Sequence, residues 1–335
     1  MKSKTLYKMI LIILIPTVGM IFFSSIYIYN KYKTLDRLDT IDLHINYVLN
    51  AEFLLNNLQK ERGMSAGYIG SIGKRFKEDL IFQKKQTNKS KKFFDDFILK
   101  HDFNSQKEKS HIKKIQNELF KLDKLRNRVF KLDIDLTNEL KSYNLMTNAI
   151  IDSITVLLTS NVNNNISNKL LAALYLINTK EYAGLERAIL SNSFSKKYLE
   201  KIDFTNIIKL VSLQNNNIKN FKNVISIQEL NFFYSTFNSK LIEDVLSYRE
   251  KIYNINNGKD LNINAKKWWD TSTKRIDALG TTIEYFMKAV LKEAKQLKTY
   301  TINSLIYSFI LWLIVIFASI FSIFALRKIT KQENQ

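Results

Sequence analysis

Residues 48–70 read VLNAEFLLNNLQKERGMSAGYIG. Val48, Ala51, Leu55 and Leu58 precede Arg62 by 14, 11, 7 and 4 positions, and Ser65, Ala66 and Ile69 follow it by 3, 4 and 7. Those spacings place all of them on one face of an α-helix. The face is apolar and small except for Arg62, which stands where the pattern asks for a leucine. The segment therefore predicts a helix that buries one side and carries a guanidinium into that buried side.

Working outward, the same 3.6-residue period continues through most of the chain between residues 31 and 300. Ile41 and Ile45 extend the first stripe toward the N-terminus. Ile112, Ile115, Leu119, Leu122, Val129 and Phe130 form a second. Leu140, Leu145, Ile150, Ile151, Ile154 and Leu158 form a third, and Leu170, Leu171, Leu174 and Ile177 a fourth that resumes at Ile189 and Leu190. Further stripes run through 206–213, 229–253 and 268–292. Asn, Ser, Gly and Lys concentrate at 70–75, 101–108, 161–167, 195–204 and 254–264, which read as loops. One proline and eight glycines in 335 residues are too few for the frequent turns of an all-β fold. The fold class is all-α: amphipathic helices with polar outer faces, joined by short loops into antiparallel bundles.

Two further stretches have no polar face. No residue from Met9 to Asn30 is charged, and Ile10–Ile28 is long enough to cross a hydrocarbon layer of ~30 Å. The run ends in Tyr27-Ile28-Tyr29, an aromatic belt, where a cleaved signal peptide would end in small residues; it reads as an uncleaved anchor. Ile302–Leu326 is the second such run. Lys2, Lys4 and Lys8 precede the first, and Arg327, Lys328 and Lys331 follow the second. By the positive-inside rule this predicts a cytoplasmic N-terminus (1–8), a transmembrane helix (9–29), an extracytoplasmic helical domain (30–301), a second transmembrane helix (302–326) and a cytoplasmic tail (327–335). Asn257, in the last expected loop, should then lie outside the cytoplasmic membrane. Nine residues follow the second span, so the expectation is either a truncated receptor or action through a partner.

Composition excludes several chemistries. There are no cysteines, so there is no disulfide, thiolate ligand or cysteine nucleophile. His44, His101 and His111 are too scattered for a metal box. No phosphate-binding loop, nucleophile elbow or paired acid/base constellation stands out, so neither an enzyme nor a cofactor is expected. The formal charge of +20 would suit an anionic partner, but only nine of the 51 basic residues are arginine. Lysine spread along the whole chain reads as a solvated surface, and nucleic acid is not an expected partner.

Against that lysine background, arginines on apolar faces call for a reason. Arg187 shares a face with Ala173, Leu176, Ala183, Gly184, Leu190 and Phe194. Arg126 lies on the stripe of Ile115, Leu119, Leu122 and Val129, and Arg249 with Ile242, Val245, Leu246 and Ile252. A buried, unpaired guanidinium costs several kcal/mol and cannot shed its proton easily. Three outcomes are open. An internal carboxylate could neutralise it, Glu61 and Glu186 being adjacent to two of these arginines. A planar anion could be held between two arginine forks. The head group could reach a bundle end. Gly63 and Ser65 beside Arg62, and Gly184 before Arg187, leave room for close helix approach or for a small ligand.

The stretch Leu58–Tyr68, with its Glu61-Arg62-Gly63-Met64-Ser65-Ala66-Gly67 core, resembles the opening motif of the nitrate- and nitrite-sensing domain family of bacterial membrane receptors. Phe76–Thr87 resembles the helix that follows it there. Leu122–Arg126 with Tyr143 resembles the middle of that family, and Lys180–Ala188 its second Glu-Arg signature. Trp269 with Thr273, Ile276 and Leu279 resembles its closing helix. The resemblance implies two packed four-helix bundles with nitrate or nitrite held between helices by arginines. Arg62 and Arg187 carry over directly; a third arginine falls on Arg249 or Arg275. The function expected is a two-pass receptor of the cytoplasmic (inner) membrane, working as a homodimer, that binds a small anion and signals across the lipid bilayer. The alternative is a structural or partner-binding helical protein held by buried Arg-Glu pairs.

Overall fold

The computed structural model of the chain describes residues 2–103, 105–158, 163–254 and 261–332. The expected loops at 101–108, 161–167 and 254–264, the two termini, and Asn257 fall partly or wholly outside the described residues. Ten helices occur among the described residues, with no strand: α1 (Lys2–Gly70), α2 (Lys77–Lys100), α3 (Gln106–Leu119), α4 (Leu122–Phe130), α5 (Leu136–Leu158), α6 (Asn164–Lys196), α7 (Lys201–Val224), α8 (Ile227–Thr236), α9 (Ser239–Tyr253) and α10 (Ala265–Gln332). They divide into two units: Met1–Asp42 with Lys292–Gln335, and Leu43–Leu291.

The first unit holds the outer ends of α1 and α10, both long and apolar enough to cross a membrane. The two ends run antiparallel. The hydroxyls of Thr17 and Ser319 meet at 2.9 Å, those of Tyr27 and Ser304 at 2.5 Å, and Lys298 donates to Asp39. Large side chains such as Ile12, Phe23 and Phe317 are uncovered along it. Pro16 lies inside α1 without ending it.

The second unit is two four-helix bundles of the same design. The first contains the inner part of α1, then α2, the broken rod α3–α4, and α5. The second contains α6, α7, the broken rod α8–α9, and the inner part of α10. Val48, Ala51, Leu55 and Leu58 on α1 are fully buried, as are Ala173, Leu176 and Leu190 on α6. Burying each large aliphatic side chain contributes about 1.5–3 kcal/mol, which outweighs weak caps and places both arginine-bearing helices at the core. Within the first bundle α1 and α5 are antiparallel, since Tyr47 meets Ser153 while Arg62 reaches Asn144. Across the bundles α1 and α6 are parallel: Lys180 donates to Glu52, Arg187 to the Gln59 carbonyl, and Asn192 to the Ala66 carbonyl.

Two stripes that read as single helices are broken. The 112–130 stripe turns at Phe120 and Lys121, leaving Phe120 exposed, and the 229–253 stripe turns at Phe237 and Asn238. Asn238 caps α9 by accepting from the Leu241 N–H, which satisfies one of the donors a helix start leaves open. Capping boxes at Ser105/Glu108 and Ser226/Glu229 fix the starts of α3 and α8. The capping box starts α3 at Gln106, inside the stretch 101–108 expected to be loop.

Candidate functional site

The two Glu-Arg dipeptides, Glu61-Arg62 and Glu186-Arg187, stand 125 positions apart at matching places on α1 and α6. Consecutive helix residues point in different directions. Each glutamate turns into its own bundle, and each arginine turns to the seam between the bundles.

Glu61 does not neutralise Arg62. Its two oxygens accept from Arg126 Nε at 2.7 Å and Nη2 at 2.9 Å, and Tyr143 donates to it at 2.9 Å. Asn88 and Asp123 take the remaining Arg126 donor. Burial pulls the Arg126 guanidinium down, but the Glu61 bonds outweigh it and raise it above its ordinary value. Glu186 is the counterpart. It accepts from Arg249 Nε and Nη2, both at 2.7 Å, and from Gln214 at 2.9 Å; Arg275 approaches only to 3.9 Å. Burial opposes its ionisation, yet the Arg249 and Arg275 charges hold it below the usual carboxylate range. Of the three open outcomes, an internal carboxylate serves Arg62, Arg126 and Arg249, but Glu61 and Glu186 do not pair with the arginines beside them in sequence. Arg126 and Arg249 are internally paired within the two bundles, and Arg275 sits with Arg249 in the second.

At the seam, Arg62 and Arg187 are both fully buried. Arg62 Nη1 donates to Glu181 at 2.6 Å and to Asn144 at 2.7 Å, and Nη2 reaches the other Glu181 oxygen at 3.4 Å. Gln59 and Thr147 also donate to Glu181, at 2.7 and 3.1 Å. Arg187 is different. Nη1 donates to Thr273 at 2.9 Å, Nη2 to the Gln59 carbonyl at 3.1 Å, and the guanidinium lies 4.2 Å from the Trp269 ring centroid. No carboxylate is in ion-pair contact with it among the described residues. Burial and the nearby Arg62 charge pull its guanidinium down to about 9, with Asp277 and Glu181 opposing from farther away. The Nε atoms of Arg62 and Arg187 and the Gln59 Oε1 are buried without a hydrogen-bond partner.

Glycines keep the seam narrow. A Cβ on Gly63 would come within 2.6 Å of the Trp269 ring and 3.4 Å of Arg187 Nε; one on Gly184 would lie 3.0 Å from Arg62 Nη2. Arg62, Gly63, Gly184 and Arg187 are therefore brought together. Ser65 instead faces Tyr143, 3.4 Å from its hydroxyl. Residue-by-residue reading missed Glu181, Gln59, Asn144 and Thr147, polar groups that only the pairing of α1, α5 and α6 makes into one cluster. Glu139 was missed as well. It is fully buried on α5, both oxygens lack a partner, and burial pushes its carboxyl well above the usual range, the Glu61 charge adding to the effect and the Arg62 charge opposing it.

Counting charges in the seam cluster, two guanidiniums and one carboxylate leave one positive charge uncompensated. Lys180 is paired with Glu52, and Lys60 with Asp277, so these neighbours add nothing net. The arrangement is chemically suited to a small monovalent anion, and no group of His, Asp and Glu among the described residues could hold a metal.

The site-bearing unit is a two-bundle helical domain with Glu-Arg pairs at matching places on the parallel helices α1 and α6. The family described as nitrate and nitrite sensing matches residues 54–290, and the chain belongs to that family. The solved structure of the NasR transcription antiterminator shares the fold, with a TM-score of 0.73 at 18% identity over 91% of this chain and 82% of that one. None of the curated proteins matches.

Proposed function

We propose that the chain is a membrane-bound sensor whose segment 30–301 lies outside the cytoplasmic membrane and binds one nitrate or nitrite ion between Arg62 and Arg187. In this reading residues 9–29 and 302–326 are the spans, 1–8 and 327–335 are cytoplasmic, the receptor works as a homodimer, and the chain carries out no catalysis. The single observation that carries the reading is Arg187: a fully buried guanidinium with no carboxylate on it and an unpartnered Nε, facing a second arginine. An internal salt-bridge scaffold accounts for Arg126 and Arg249 and for part of Arg62, but it leaves Arg187 without a counter-charge. The seam's charge of +1 fits a monoanion, and planar oxyanions match the guanidinium fork. α1 and α10 contribute to both units of the chain, so they are the elements through which a ligand-dependent shift would reach the spans.

The test is a thermal melt of the full chain in detergent with sodium nitrate, sodium nitrite or sodium chloride at equal ionic strength. A ligand of the native state raises Tm by mass action, and chloride corrects for screening of a +20 chain. A nitrate or nitrite shift above that of chloride, lost in Arg187→Met, supports the site; equal shifts with all three anions reject it. For orientation, a cysteine replacing the exposed Lys92 on α2 should be labelled by an impermeant thiol reagent in intact cells. Labelling only after lysis would reverse the topology. Light scattering of the micellar protein reads the oligomeric state.

A further inference from the structure

The second bundle has its own excess of buried positive charge, away from the seam. Glu186 is one carboxylate shared by two arginines, and Arg249 takes both of its oxygens. Arg275 is left with the Gln214 Oε1 at 2.7 Å and a 3.9 Å approach to Glu186. Its Nε and Nη2, like Arg249 Nη1, have no protein acceptor among the described residues. Both arginines border open space.

That space is a cavity of about 440 Å³ between α7, α8, α9 and α10. Arg249 and Arg275 line it, both more than nine-tenths buried, and Lys219 and Lys222 stand exposed at its rim. Apart from Asn215, its remaining wall is apolar and aromatic, with Phe233 and Phe237 stacked at 5.0 Å and the Arg275 guanidinium 5.6 Å from the Phe237 ring. No Asp or Glu lines it. Burial, and then the Arg249 charge, pull the Arg275 guanidinium down to about 10, the Glu186 charge opposing. A cation in that condition is stabilised by any anion that enters.

We propose that this cavity is a second ligand site, which takes a small organic monocarboxylate with an aromatic or branched aliphatic body. The carboxylate meets Arg275 and the free Arg249 donor, and the body packs on Phe233, Phe237 and Val245. Three features select this class. One uncompensated charge asks for a monoanion. The apolar wall gives a bare inorganic ion nothing to contact but adds area-dependent affinity for a hydrocarbon body. The rim lysines favour the approach of an anion. The cavity does not use Arg62, Arg187 or Trp269, so it fills independently of the seam.

The probe is 4-fluorobenzoate, followed by fluorine NMR and calorimetry on the full chain in detergent, with chloride at equal ionic strength as the reference. One equivalent should bind, saturating nitrate should not displace it, and Arg275→Met should weaken it about ten-fold or more, the loss of a charge-assisted hydrogen bond. Leu246→Trp, at a half-open position on the cavity wall, fills the space without touching the buried ion pairs, and it should abolish binding even if Arg275→Met fails to fold. The proposal is overturned by no binding beyond chloride, by displacement with nitrate, or by binding that survives Leu246→Trp.

Discussion

The Trp269 ring lies over the Arg187 guanidinium at 4.2 Å, within the range where a cation and an aromatic face attract. Among the described residues, Arg187 receives close electrostatic support from that ring and two neutral acceptors, and from no carboxylate in ion-pair contact. The arrangement also makes Trp269 a reporter. An anion brought to Arg187 changes the field at the indole, so nitrate should alter tryptophan emission in the full chain. Trp269→Phe should remove most of that signal while calorimetry still detects binding. An unchanged emission difference in Trp269→Phe would assign the signal to Trp268 or Trp312 instead.

Arg187→Met should separate binding from stability. Removing an unpaired buried charge relieves a desolvation cost, so the ligand-free variant should melt at or above the wild-type temperature while losing its nitrate response. Arg126→Ala and Arg249→Ala should do the reverse. Arg126→Ala strands the buried Glu61 and should cost ~3–5 kcal/mol in urea unfolding, and Arg249→Ala, which leaves Glu186 only the more distant Arg275, should also destabilise. Similar losses in all three variants would mean that Arg187 is paired in solution.

Glu181→Gln should change both affinity and selectivity. Its carboxylate competes for Arg62 and reduces the seam charge from +2 to +1. With the amide, nitrate should bind about ten-fold tighter, the scale of one charged hydrogen bond, and sulfate, which a seam of charge +1 should reject, should begin to bind. Unchanged nitrate affinity with continued rejection of sulfate would show that the Glu181 charge does not set the seam's preference.

The pH dependence of stability should carry the mark of Glu139. Its folded value is raised well above the ordinary 4.5, so above 4.5 the folded chain holds a proton that the unfolded chain releases. Stability should therefore fall as pH rises from 4.5 toward the folded value. Glu139→Gln, which stays neutral throughout, should lack that decline. Parallel Tm-versus-pH curves for the two proteins would mean Glu139 is solvated or paired.

Gly63→Ala tests the width of the seam. In an exposed helix the change would stabilise by up to ~1 kcal/mol, but here the new methyl would sit 2.6 Å from the Trp269 ring. The variant should melt lower than wild type and bind nitrate weakly. A higher Tm with intact binding would show that the ring can retreat.

Much of this was legible in the residues. The faces of Arg62 and Arg187 are buried as their spacing requires, because helical periodicity fixes which side chains share a side. The pairing of the arginines was not legible. Glu61 is adjacent to Arg62 in sequence but points about 100° away around the helix axis, so it finds Arg126, 65 residues on. Arg62 meets Glu181 instead, a pairing set by how α6 lies against α1. The breaks at Phe120 and at Phe237 were hidden for a related reason: the apolar stripes run on across both turns, and only Asn238 offered a local cap signal. Arg249 and Arg275, the two candidates for a third ligand arginine, both lie beside Glu186, a placement set by the registers of α9 and α10.

The two bundles are alike but not equal, and the inequality has a consequence for parity. A site on a true twofold axis between identical halves must count its charges in pairs, so two arginines there leave either +2 or, with two acids, zero. At the position equivalent to Glu181, 125 residues earlier, stands Asn56. One polypeptide carrying both halves can therefore hold an odd charge at its centre of near-symmetry. An odd charge is what a single monovalent ion neutralises.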